Sequence, residues 1–139
     1  MALRSNYDAR RAQYTTFPDL SPAMLRILRG PVISQINLRI HHNHINAISF
    51  RKIVHLVESR QVLVRRDLTL KPGENITLEE FDTVLIGPNG PGSQLYIDSS
   101  FVHEAVHVWA VMRGNYMTSE ETEFRAFVVQ AVIVPDAHA

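Results

Sequence analysis

The stretch that decides the fold runs from Asp98 to Gly114 and reads DSSFVHEAVHVWAVMRG. Ser99 or Ser100 can cap the start of a helix here, and Gly114 can adopt the left-handed conformation that ends one. Nearly every position between these ends is apolar, which is typical of a helix that is buried on all sides. The sequence therefore predicts a buried helix over residues 98–114.

Three ionisable side chains, His103, Glu104 and His107, interrupt this apolar run. Burying them without partners would cost several kcal/mol. His103 and His107 are four residues apart, so their imidazoles share one helix face, with Cβ atoms about 5–6 Å apart. Both rings can then bind one Zn²⁺ ion at about 2.0–2.1 Å. This H-E-x-x-H pattern predicts a zinc site, with Glu104 as the general base that deprotonates a zinc-activated water.

A zinc site of this kind needs a third protein ligand and keeps a fourth position open. The metzincin pattern is excluded, because Ala110 and Arg113 occupy the positions where it requires Gly and His. A second helix is predicted from Ser119 to about Val134. It must run antiparallel to the first for roughly 10 Å before one of its side chains can reach the metal beside His107. Glu123 comes nearer than Glu120 on the same face, although the glutamates here also suit a helix N-terminus.

The pattern HEAVH, followed by a glycine turn and ExxAFxxQA from Glu123 to Ala131, resembles short bacterial gluzincin-like zinc metallopeptidases. The resemblance covers roughly residues 50–135. It implies a zincin-like fold in which His103, His107 and Glu123 bind zinc and Glu104 is the catalytic general base. A zinc metallopeptidase, a hydrolase of peptide bonds, is the function that this resemblance implies.

The expected fold class is α+β and zincin-like, with a small mixed sheet packed on the HExxH helix and on a following helix that carries the glutamate. Residues 1–20 are polar and aperiodic and are expected to form a flexible N-terminal arm. Residues 21–139 are expected to form a single domain. Other predicted elements are a helix starting at Ser21, a strand over residues 36–40, a helix from Ser49 to Ser59, and strands over residues 62–70, 83–86 and 94–97.

Two further features carry functional expectations. The strand predicted over residues 94–97 could bind an extended substrate along its edge. Tyr96 and Tyr116 are candidate oxyanion or substrate contacts, with plain packing as the competing interpretation. The histidines in the segment HHNH (residues 41–44) are expected to lie in a solvated turn, with an adventitious metal-binding spot as the alternative.

Charge is divided unevenly along a chain whose formal net charge is zero. Residues 1–71 hold 12 basic and 4 acidic residues (12 − 4 = +8), and residues 72–139 hold 2 and 10 (2 − 10 = −8). Either the two halves attract each other, or an acidic cleft favours cationic peptide or protein substrates, or a basic face binds an acidic partner. Nucleic-acid binding is the weakest interpretation, because no stacking aromatic residues interleave with the basic ones.

The composition of the chain limits which other kinds of site and location are expected. The chain contains no cysteine, which excludes disulfides and thiolate metal sites. Its N-terminus lacks the apolar segment of a secretory signal, and no apolar run has the length of a membrane span. The expected location is the cytoplasm, with signal-independent export left open. The alternative to a peptidase is a non-catalytic zincin-like protein-binding module.

Overall fold

The computed structural model describes residues 2–40 and 43–112. This part of the chain is a mixed α+β structure, as predicted. Its elements in chain order are helices α1 (Ala2–Tyr14), α2 (Ser21–Leu28) and α3 (Pro31–Ser34), strands β1 (Asn37–Ile40) and β2 (Asn43–Asn46), helix α4 (Ala47–Glu58), strands β3 (Leu63–Arg66) and β4 (Asn75–Leu78), a 3-10 turn (Glu79–Phe81), strand β5 (Thr83–Ile86) and helix α5 (Gln94–Met112).

The larger sheet has the strand order β3-β5-β4, with β3 parallel and β4 antiparallel to the central strand β5. Side chains of β5 alternate between two cores, because successive residues of a strand point to opposite faces. Val84 and Ile86 pack among α2, α4 and α5, whereas Leu85 packs with Tyr14 and Leu63 on the other face. The sheet therefore lies between α1 on one side and helices α2, α4 and α5 on the other.

Helix α4 confirms the prediction made from its apolar periodicity. The Asn46 side chain accepts hydrogen bonds from the amides of Ile48 and Ser49, and the Ser49 hydroxyl accepts one from the Asn46 amide. Such a reciprocal cap satisfies amides that a helix start otherwise leaves unpaired. Phe50, Ile53 and Val57 then form the buried face.

The N-terminal segment differs from the expected flexible arm. Residues 2–14 form α1, and the Tyr7 hydroxyl donates to the Asp82 carboxylate at 2.7 Å. The Arg11 guanidinium donates to the carbonyl oxygens of Phe81, Asp82 and Arg60. Polar contacts of this kind leave no hydrophobic periodicity in the sequence, so pattern reasoning missed the helix.

The small β1–β2 hairpin differs from expectation at one residue. His44, expected in a solvated turn, lies on β2, where its ring contacts the Asn37 side chain of β1. The antiparallel pairing of the two strands extends close to the turn and so includes this residue. His41 and His42 lie outside the described residues.

No helix in residues 2–40 and 43–112 combines the length and the apolar character needed to cross a membrane.

Candidate metal centre

Helix α5 carries the predicted zinc-binding residues into the core. It packs against α2, α4 and β4. Val102, Val106 and Trp109 are almost fully buried on it, which confirms that this helix is buried. His103 and Glu104 are only 8% and 6% exposed. His107, one turn further on, is half-buried.

The two histidines and the glutamate converge on one small volume. The imidazole centroids of His103 and His107 lie 5.3 Å apart, with 40° between the ring planes. The His103 Nε2 atom lies 3.8 Å from Glu104 Oε2. One ligand atom from each of the three side chains can be chosen so that all lie within 4.8 Å of one another. Two imidazole nitrogens at this spacing suit a divalent cation such as zinc, and the Glu104 carboxylate lies beside them.

A hydrogen bond from the sheet orients the glutamate. The Thr77 hydroxyl donates to Glu104 Oε1 at 3.1 Å. Thr77 lies on β4, directly opposite Val84 of the central strand. One carboxylate oxygen is therefore held by the sheet, and the other faces the imidazole of His103 at 3.8 Å.

Sequence reasoning missed Thr77. The signal was present, because polar Asn75 and Thr77 alternate with apolar Ile76 and Leu78. Leu78 packs in the core on the α1 side of the sheet, and its polar neighbour Thr77 points towards α5. The strand is only four residues long and ends in a 3-10 turn, so its period of two was too short to recognise.

A cavity of about 420 Å³ opens beside His103 and Glu104. Its far wall consists of two Gly/Pro turns, residues 70–74 and 87–92, which we call the paired turns. The Gly73 amide donates to the Pro88 carbonyl at 2.8 Å, and a Cβ atom on Gly90 would lie 3.0 Å from the Gly73 Cα atom. Glycine at both positions therefore allows the backbones of the paired turns to touch.

A second cavity, of about 250 Å³, lies further along α5 and β4. Thr77, Glu79, Asp82 and Val108 are among the residues that line it. Because Thr77 lines this cavity and also binds Glu104, which lines the first, the His103–Glu104–His107 cluster lies close to both.

The start of α5 corrects two predictions. Residues 94–97 are the first turn of α5 and not a strand, so they cannot offer a strand edge to a substrate. Ser99 and Ser100 lie inside the helix and do not cap it, because helical bonding already begins at Ser93, whose carbonyl accepts from the Ile97 amide at 3.0 Å. The short sequence QLYI alternates as a strand would, and such short runs do not separate strand from helix.

The sequence also predicts site residues outside the HExxH motif. Tyr96 lies in the first turn of α5. Tyr116, Glu123 and the helix predicted from Ser119 lie outside the described residues. Among the described residues, His103, Glu104 and His107 are the only group of three or more metal-ligating side chains close enough to share an ion.

Comparison of the chain with models of protein families, with curated proteins and with solved structures finds no match.

Proposed function

We propose that the protein is a zinc-dependent metallopeptidase with a zincin-like fold. One observation carries the proposal: His103, Glu104 and His107 present their ligand atoms within 4.8 Å of one another on a buried helix, beside an open cavity. The mixed sheet supports the fold part of the proposal, since its antiparallel edge strand β4 packs against α5.

His103 and His107 would hold the zinc ion, and Glu123 is the proposed third ligand. Bound zinc supplies a Lewis acid that polarises a scissile carbonyl and lowers the pKa of the attacking water. The protein itself positions the reacting groups and supplies the general base. The burial of His103 restricts its rotamers and keeps bulk water away from one side of the cluster.

Glu104 is the proposed general base. Its Oε1 atom accepts the Thr77 hydrogen bond, and its Oε2 atom, 3.8 Å from His103 Nε2, is the oxygen that we propose takes a proton from the attacking water. The protonated carboxyl then returns that proton to the leaving amine. A carboxylate that is held in place by a hydrogen bond can make both proton transfers from one position.

Glu104→Gln tests the proposal, because glutamine keeps the size of the side chain but cannot accept the proton. Zinc-loaded wild type should cleave members of a peptide library, and zinc-loaded Glu104→Gln should fold, retain zinc and cleave about 10²–10⁴-fold more slowly. Glu80→Gln, which changes an exposed glutamate of the 3-10 turn, is the matched control. A wild type with full zinc that cleaves nothing would leave the non-catalytic binding module as the better description.

A further inference from the structure

The basic residues of the first half of the chain are concentrated in one block of the fold. Residues 20–57 contain no aspartate or glutamate, whereas an even spread of the chain's 14 acids over its 139 residues would place about four there. The same residues include five arginines and lysines and four histidines. They form α2, α3, the β1–β2 hairpin and nearly all of α4, and α4 packs against α2, α3 and β2. The positive charge therefore belongs to one contiguous part of the molecule.

Helix α4 presents part of this charge as a stripe on its outer face. The exposed residues of this face, which we call the α4 stripe, are Ile48, Arg51, Lys52 and His55. Their spacing of three and four residues places them together on one side of the helix. The buried residues Phe50, Ile53 and Val57 occupy the opposite side. The stripe thus combines basic side chains with one apolar side chain, Ile48, which is 54% exposed, over a length of about 10 Å.

The residues next to the α4 stripe preserve its positive charge. Glu58, the first carboxylate after the stripe in sequence, bonds to Arg29 of α2 at 2.7 Å. On the hairpin, Arg39 lies opposite His44 in the strand pairing, on the face of the hairpin away from the fully buried Ile45. Arg39 is also exposed. It therefore adds a third cation on the outer surface of the same block.

The α4 stripe faces away from the candidate metal centre. Phe50 and Ile53, on the buried side of α4, belong to the core cluster that contains Val102 and Val106 of α5. Because the stripe lies on the other side of α4, a partner bound there leaves the cavity beside Glu104 open. Since α4 is capped at its start, the stripe is preformed, and a partner does not have to order it.

We infer that the α4 stripe and Arg39 bind an acidic helix of a partner protein, whose carboxylates pair with the cations and whose apolar side chain packs on Ile48. The inference goes beyond the proposed function, because it concerns a different surface of the molecule. The spacing of the stripe matches that of carboxylates three and four residues apart on a second helix. An apolar contact with arginines around it is also typical of a protein interface.

Nucleic acid is the other polyanion to consider for such a surface. Tight binding to a duplex commonly uses about 6–10 phosphate contacts. The α4 stripe and Arg39 together offer three arginines and lysines, and the exposed Ile48 has no counterpart in a row of phosphates. These observations favour a protein partner.

The experiment measures binding of an alanine-based helical peptide of about 15 residues that carries glutamates at helical spacing and a central leucine on the same face. Two matched peptides replace the glutamates with glutamine, or the leucine with alanine. Dissociation constants are measured by fluorescence anisotropy on metal-free wild type and on zinc-loaded Glu104→Gln, so that hydrolysis does not consume the probe. The glutamate peptide should bind about tenfold more tightly than the glutamine peptide. Raising the salt from about 50 to about 300 mM should reduce this preference at least about threefold.

Two matched pairs of variants locate the effect on α4. Arg51→Ala and Lys52→Ala should each weaken binding of the glutamate peptide about threefold, and alanine suits a helix at both positions. Lys71→Ala, which removes an exposed lysine from the paired turns, should leave binding unchanged. Ile48→Ser should weaken binding about threefold for the peptide with leucine but not for the peptide with alanine. Leu68→Ser, which changes an apolar residue that is 71% exposed elsewhere, should have no effect.

NMR amide shifts give the bound position, and the largest should lie at Arg51, Lys52 and His55. Equal binding of the glutamate and glutamine peptides, shifts remote from α4, or tighter binding of a DNA duplex of similar length would each overturn the inference. The preference of the wild type decides the matter even where a variant fails to fold. A wild type that binds the glutamate peptide on α4 but cleaves nothing would support the inference and overturn only the peptidase. A peptidase without this preference would overturn only the inference.

Discussion

Thr77 and Glu104 join the sheet to the candidate metal centre through a hydrogen bond of 3.1 Å from the threonine hydroxyl to Glu104 Oε1. The bond crosses from β4 to α5 and links residues 27 positions apart in sequence. It leaves the other carboxylate oxygen, Oε2, facing His103 at 3.8 Å. A general base acts efficiently only when its proton-accepting atom is correctly placed, so Thr77 is the proposed positioning residue for Glu104, the proposed base.

Thr77→Val should lower kcat about tenfold or more and leave the zinc content unchanged. Hydrogen bonds to charged groups are worth about 1.5–3 kcal/mol, and valine suits a strand as well as threonine does. Thr77→Ser restores the hydroxyl and should recover most of the activity. Steady-state kinetics, zinc analysis and thermal melts of each variant provide the measurement.

The control for Thr77→Val is Thr16→Val. The Thr16 hydroxyl is exposed and bonds only locally, to the Gln13 carbonyl at 2.6 Å. Equal losses of activity in the two variants, or a Thr77→Ser variant as slow as Thr77→Val, would contradict a positioning role.

His103→Ala and His107→Ala should each abolish tight zinc binding, whereas wild type should hold about one zinc ion per chain. Zinc binds the folded state preferentially and at 100 times its Kd adds about 2.7 kcal/mol, so the Tm of the wild type should rise by about 5 °C or more. Elemental analysis and melts with and without zinc test this prediction. His55→Ala changes an exposed histidine of α4 and should retain zinc. A metal-free wild type whose Tm does not respond to zinc would refute it.

Glu123→Ala should weaken zinc binding at least about tenfold, while Glu120→Ala and Glu121→Ala should have little effect. These residues lie outside the described part of the chain, so the prediction rests on the length of the return helix and on the gluzincin resemblance. Competition with a chelator of known affinity measures the change. Loss of zinc from Glu120→Ala instead would show that the predicted register of the last helix is wrong by one turn.

Asp19→Asn should destabilise the fold near neutral pH. Burial pushes the pKa of the Asp19 carboxyl upwards, but hydrogen bonds from Ser21 and the charges of Arg65 and Arg60 outweigh it, so the pKa lies below its ordinary value. A carboxyl with a lowered folded pKa stabilises the protein above its unfolded pKa of about 3.9. That contribution is lost as the pH falls through the lower, folded value.

The Tm of Asp19→Asn should therefore lie about 1–3 °C below wild type at pH 7, a small shift because the group is exposed to screening by solvent. The two curves should converge once the pH falls below the lowered pKa of Asp19. Asp8→Asn, an exposed carboxylate on α1, is the control and should follow the wild type. A difference between Asp19→Asn and wild type that does not change with pH would point to packing as the cause.

Much of the candidate site was visible in the sequence alone. The spacing of His103, Glu104 and His107 within an apolar run determined that they share a buried helix, because the helical period fixes which side chains are neighbours. The amphipathic face of α4 and the apolar strand β5 were predicted for the same reason: each has a period long enough, or a run apolar enough, to be recognised.

Only the tertiary structure decided how parts of the chain that are far apart in sequence come together. The contact of Thr77 with Glu104, the meeting of Gly73 with Gly90, and the docking of α1 through Tyr7 and Arg11 each join residues far apart in sequence. Such contacts depend on strand pairing and on close approach of two backbones, neither of which leaves a local period. The sequence thus determined the ligand set proposed for zinc on α5, and the fold decided how its base is oriented and what lies beside it.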